Sequence, residues 1–229
     1  MLYLKGLEDQ DEGLVRQGFA WLEILTLTYW LCKESTKDFS KFFAQTVRYL
    51  CTQEAQGHQR LLQALKGNLL GRKPEEMQIA NALKSSGGAK LSNDRAMLVL
   101  FTLELYRIQQ KDEKHSLKCD YSLEHLMPQK WETHWTDIVG GNANKAEGLI
   151  YQVGNMVLLG QKLNTAISNN VWRVKVHGDQ SKKMCLNSQK NHLDITKEVL
   201  EVAQWDADHI EKRTKSLTQE FLGIVRTLS

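Results

Sequence analysis

The sequence predicts a mainly α-helical protein with a ββα unit embedded in its second half. Three observations carry that prediction: helical hydrophobic periodicity through the first part of the chain, a strand–loop–strand–helix order between Cys119 and Ile167, and a return to helical periodicity after Trp205. A composition of 41% hydrophobic and 25% charged residues over 229 positions, with only two prolines, allows a sizeable core and argues against pervasive disorder.

The first helix is expected from about Glu12 to Lys33 and includes the most apolar run, Gly18 to Cys32. Glu23 interrupts that run, which is too short to cross a bilayer. Ser35 and Thr36 offer N-cap oxygens to a second helix carrying Phe39, Phe42, Phe43, Val47 and Leu50. Gly57 breaks the pattern, and a third amphipathic segment contains Leu61, Leu62 and Leu65. Pro74 suits the first turn of a fourth helix, with Glu75 and Glu76 near its positive end. The Ser85-Ser86-Gly87-Gly88 stretch is a loop. Ser92 or Asn93 then caps a long helix through Leu98, Phe101, Leu105 and Ile108.

The texture changes after the charged stretch Lys111 to Lys114. Cys119 to Leu126 reads as a strand, Trp131 to Val139 as a brief helix, and Gly140-Gly141-Asn142 as a turn. Asn155 to Leu159 is a second strand, and Gln161 to Ile167 a helix with Leu163 and Ile167 on one face. Asp206 is an N-cap for the closing helix, with Trp205 stapled onto Ile210 and a packing stripe through Leu217, Phe221, Ile224 and Leu228. Two regions follow: a helical one over 1–112, and a domain over 113–229 holding the ββα unit and C-terminal helices.

A formal charge of +3 permits a nucleic-acid partner without demanding one. Cys32, Cys51, Cys119 and Cys185 form no C-x-x-C pair, which argues against a zinc ribbon, and no basic-then-apolar leader opens the chain. A reducing, cytoplasmic protein with no membrane association is the expectation.

The chemistry concentrates in Glu124-His125-Leu126-Met127-Pro128-Gln129, then Gly154-Asn155-Met156-Val157-Leu158-Leu159, then Leu163-Asn164. Glu124 supplies a hard oxygen ligand, and its neighbour His125 a base of near-neutral pKa that takes a proton from water. Asn164 adds an amide oxygen. Two oxygen ligands with open positions suit Mg²⁺ or Mn²⁺. If residues 161–176 form one helix, Asn164, Ser168 and Lys175 share a face and Lys175 reaches a phosphate, whereas a break at Asn169-Asn170 removes that alignment. Adjacent strand residues point to opposite faces, so Glu124 and His125 need not touch the same atom.

These boxes resemble the His-Asn-His (HNH-like, ββα-metal) nuclease domain at the C-terminal end of GmrSD-type modification-dependent restriction enzymes and related phage-defence proteins. The resemblance covers roughly residues 91 to 229, and Trp205, Ile210 and Arg213 resemble that family's closing helix. It implies His125 as general base, Asn155 as the brace of the loop bearing His125, and Glu124 and Asn164 as ligands of Mg²⁺ or Mn²⁺. Lys175 and Arg173 are the DNA-contact candidates. Double-stranded DNA is the implied substrate, with a nick the expected product of a single site, in an antiphage restriction system.

Two departures stand out. Tyr151-Gln152-Val153 replaces a His often found just before the Gly-Asn strand, and the usual N-terminal nucleotide-binding, DNA-sensing domain with its Asp-Gly-Gln-Gln-Arg box is absent. The chain is therefore expected to be a fragment or to act with a separate partner. The remaining histidines (His58, His115, His134, His177, His192 and His209) show no ligand spacing. Trp131, Trp135 and Trp172 read as core, with base stacking as their alternative use. A non-catalytic DNA-binding or regulatory module and a purely structural helical interaction domain are the competing readings.

Overall fold

A computed structural model describes residues 12–37, 39–41, 43–45, 48, 67, 73–86, 90–111, 117, 120–181, 183–188 and 193–227. It is mainly helical with one small two-stranded sheet. Contacts divide it into two units, Met1–Ile79 with Leu222–Ser229, and Ala80–Phe221. The boundary expected at 112/113, and the expectations for Phe42, Val47, Leu50, Gly57, Leu61, Leu62, Leu65 and Leu228, lie outside the described residues.

In the first unit, α1 (Glu12–Leu31) buries Trp21, Ile24, Leu25, Thr28 and Leu31, a set at helical spacing. Thr28 satisfies its buried hydroxyl by donating to Ile24 O at 2.8 Å. The rings of Tyr29, Phe39 and Phe43 follow one another at centroid distances of 4.8 and 5.5 Å. Shortly after Pro74, α2 (Glu76–Leu83) begins, with the Glu75 amide donating to Gln78 Oε1 at 2.8 Å.

The second unit opens with α3 (Asn93–Gln110), the long helix expected here. Its buried face is Ala96, Val99, Leu100, Leu103, Glu104 and Ile108, whereas Leu98 and Leu105 are 44% and 40% exposed. Glu104 is the one charged residue on the buried face. Its two carboxylate oxygens accept the backbone N–H groups of Asp194 and Ile195, each at 2.9 Å, at the start of α8 (Asp194–Lys197). A buried carboxylate thus satisfies the orphan N–H groups at the start of a neighbouring helix.

Strand β1 (Tyr121–His125) pairs antiparallel with β2 (Met156–Gly160), His125 opposite Met156 and Tyr121 opposite Gly160. The insertion between them contains a 3₁₀ turn at Trp131–Thr133, α4 (Thr136–Val139) and α5 (Ala143–Ile150). The single brief helix expected at 131–139 is thus two short pieces. Gly140 and Gly141 supply φ of +58° and +71°, and Asn142 caps α5 by accepting the Lys145 amide at 3.1 Å.

Immediately after β2, α6 (Gln161–Ile167) packs on both strands, so the expected strand, strand, helix order holds. A continuous helix to residue 176 does not form. Ser168 takes φ +33°, Asn170 Nδ2 donates to Ile167 O at 2.6 Å, and α7 (Trp172–His177) starts afresh.

The last helix, α9 (Ala207–Thr227), begins at the expected cap, Asp206 Oδ1 accepting the His209 amide at 3.0 Å. Trp205 and Ile210 lie in one core cluster with Leu126, Met127, Val157 and Leu163. Trp172 stacks on Trp205 at 5.2 Å, and Trp135 is buried, so both serve the core. Among the described residues no helix is long and apolar enough to cross a membrane.

Candidate functional site

The site grows from the end of β1. Alternation along the strand sends Ser122 and Glu124 to one face and His125 to the other. On the first face, α6 delivers Asn164, whose Nδ2 donates to Ser122 Oγ at 2.8 Å and to Leu123 O at 3.0 Å. Both hydrogens of the amide are thereby used, and Oδ1 accepts no hydrogen bond among the described residues. The anchoring orients a hard oxygen beside the residue that precedes Glu124.

Glu124 is met by Lys175 from α7. The Lys175 ammonium lies 2.5 Å from Glu124 Oε1 and 3.1 Å from the carbonyl oxygen of His125. Lys175, expected at a phosphate, is fully buried (0% exposed). Burial pushes the Lys175 pKa down and the Glu124 pKa up, and the attraction between them opposes both shifts. Arg173, the other DNA-contact candidate, is exposed on α7 and is not drawn into this cluster.

His125 is 7% exposed and its ring meets Tyr151 edge-on, centroids 6.0 Å apart. Tyr151 thus occupies part of the space near His125 where the resemblance leads one to expect a second imidazole. Burial, with the Lys175 charge adding to it, pushes the His125 pKa down to about 4. The imidazole is therefore neutral at physiological pH, and its buried Nε2 has no hydrogen-bond partner among the described residues.

Asn155 has no such spare capacity. Its Oδ1 accepts from the Met127 amide at 2.8 Å and from Trp205 Nε1 at 3.1 Å. Its Nδ2 donates to Met127 O at 2.9 Å and Ile150 O at 3.1 Å. Met127 follows His125 closely in the chain, so this buried amide ties down the segment leaving the histidine.

The turn carrying Asn155 is itself held by α9. Arg213 NH1 donates to Gly154 O at 2.7 Å and Met156 O at 2.8 Å, and its NH2 to Ile195 O at 2.8 Å. Gly154 is required by contact: a Cβ there would stand 2.3 Å from Thr214 Oγ1 and 2.4 Å from Ile210 O. The sequence reading assigned no role to Ser122, and gave Arg213 and Trp205 only a place in the closing helix. Ser122 was detectable as the same-face neighbour of Glu124. The reach of Arg213 across 59 residues had no local signal.

Among the described residues, no three His, Cys, Asp or Glu side chains are grouped to hold a metal ion. The donors available are one carboxylate and the amide oxygen of Asn164. That set fits a hard divalent ion that keeps several waters, such as Mg²⁺ or Mn²⁺, and does not fit zinc. The ring of His209 pairs with Asp206 at 2.7 Å, and that of His177 with Asn187 at 3.1 Å, away from these donors.

A protein-family model described as GmrSD restriction endonucleases, C-terminal domain, matches residues 73–220. The match begins earlier and ends sooner than the stretch delimited by the sequence boxes. No curated protein sequence and no solved structure matches the chain.

Proposed function

The chain belongs to the GmrSD restriction endonuclease C-terminal domain family, and from that premise we propose that it is a metal-dependent DNA endonuclease of the HNH type. In this reading His125 is the general base, Glu124 and Asn164 hold one Mg²⁺ or Mn²⁺, and the β1–β2–α6 segment is a ββα-metal motif. The observation that carries it is the Asn164 amide, anchored through nitrogen to β1 so that its oxygen accepts no hydrogen bond among the described residues.

The residues divide the work. His125 is in its free-base form, the form needed to take a proton from an attacking water. Asn155 keeps the segment after His125 from moving as that proton arrives. Arg173, exposed on α7, contributes a backbone phosphate contact. When bound at these oxygens, a divalent ion supplies Lewis acidity to the phosphate and to the leaving 3′-oxygen. A single site cuts one strand per encounter, so the product is a nick. As part of an antiphage restriction system, the domain acts together with a nucleotide-binding, DNA-sensing domain.

One observation favours a second reading, a non-catalytic DNA-binding module: Lys175 already occupies Glu124 Oε1. Supercoiled plasmid incubated with Mg²⁺, Mn²⁺ or EDTA separates the two. The endonuclease reading expects metal-dependent open circles from the wild type and none from His125→Ala. Binding of plasmid without any metal-dependent product would replace it with the second reading.

A further inference from the structure

Lys175 is among the largest side chains buried outright, and it carries a charge. An ammonium removed from water is strongly disfavoured unless paired and hydrogen-bonded. Both of its contacts fall on the last two residues of β1, the Glu124 carboxylate and the His125 carbonyl. The path that delivers it is also built from buried groups. The break at Ser168 redirects the chain, and Trp172 is fixed by donating to Val202 O at 2.8 Å and stacking on Trp205. A lysine that gathers phosphates must reach solvent, and this one does not.

We infer that Lys175 is a resident counter-cation, a positioning residue that holds the Glu124 carboxylate and the end of β1 in place before a divalent ion arrives. Binding of the ion at Glu124 then takes over part of the charge neutralisation that Lys175 provides. This rests on Glu124 being a metal ligand. It gives the lysine a role distinct from DNA binding, and distinct from a purely structural ion pair, whose removal would lower stability and leave metal affinity alone.

The test uses the full chain with Mn²⁺ as the probe, comparing wild type, Lys175→Met, Lys175→Arg and the double variant Lys175→Met/Glu124→Gln. Mn²⁺ binding is read by calorimetry or by the electron paramagnetic resonance of free Mn²⁺, and melting temperature is measured in EDTA and in Mn²⁺. Lys175→Met is expected to melt lower in EDTA, to regain most of the loss in Mn²⁺, and to bind Mn²⁺ about tenfold more tightly because a unit positive charge beside the ligand is gone. Lys175→Arg keeps the charge and the wild-type affinity. The double variant melts above Lys175→Met in EDTA and binds no Mn²⁺.

Wild type that binds Mn²⁺ while Lys175→Met binds it no more tightly overturns the counter-cation and leaves the metal site standing. Lys175→Met that is unfolded in EDTA and stays unfolded in Mn²⁺ does the same, since a resident cation must be replaceable. Absence of Mn²⁺ binding in both wild type and Lys175→Met overturns the counter-cation and the metal-site reading together.

Discussion

Asn155 and Asn164 bracket β2, and their identical side chains are used in opposite ways. Asn155 is wholly buried and makes four hydrogen bonds, two through oxygen and two through nitrogen, so nothing of the amide is left for a ligand. Asn164 is partly exposed and bonded only through nitrogen, to Ser122 and Leu123. A saturated amide is a structural element. One saturated on its nitrogen alone is an oriented oxygen donor. The same contrast extends to their neighbours: Arg213 and Thr214 hold the Asn155 turn through backbone contacts, while His125 beside Glu124 keeps a buried nitrogen without a partner.

The largest effect that sharpens this contrast is expected from His125→Ala. Nicking should fall roughly a thousandfold, the scale of a lost general base, while melting temperature falls only modestly, from the cavity left where the imidazole packed on Tyr151. Loss of stability in parallel with activity would place His125 on the structural side.

Asn155→Ala should do the reverse. It leaves the Met127 amide, the Trp205 indole N–H and two carbonyls without partners, which costs about 3 kcal/mol or more in urea unfolding, and activity falls with the folded fraction. A variant of wild-type stability would break the comparison.

Gly154→Ala tests the support beneath Asn155. Its Cβ would meet two backbone atoms of α9 at 2.4 Å, so a loss of about 3 kcal/mol is expected from overpacking, seen as a lower urea midpoint.

Asn164→Ala should reduce the rate about a hundredfold while lowering stability by only about 1 kcal/mol, since its two hydrogen bonds are partly solvated. Mn²⁺ titration is the deciding readout: unchanged affinity would remove Asn164 from the ligand set.

The smallest effect belongs to Arg173→Ala. It should weaken DNA binding slightly and flatten the slope of log affinity against log salt by about one phosphate's worth, with no change in melting temperature. A salt dependence identical to wild type would show that Arg173 faces solvent rather than DNA.

Much of this arrangement was legible because it is local. Strand alternation separated Glu124 from His125, the Asp206 cap fixed the start of α9, and the order β1, β2, α6 followed from short apolar runs and turns. What escaped was long-range or sterically counterintuitive. Helical spacing left two alternatives for 161–176, one helix or a break near Asn169-Asn170; the positive φ at Ser168 makes the break, and Lys175 reaches Glu124 from a second helix. Its partner lies 51 residues away, and no local pattern encodes that distance. The cap that Glu104 supplies to α8, across about 90 residues, is likewise invisible from α3 alone.

The grip of α9 on the Asn155 turn bears on the order in which the protein is made. Trp205 and Arg213 emerge from the ribosome 50 and 59 residues after the groups they hold. A nascent chain that has reached only β2 carries Glu124, His125 and Asn155 but lacks Asn164, Lys175 and the α9 groups that hold the Asn155 turn. Chains that stop short of Arg213, whether stalled or cut by a protease, lack that scaffold too.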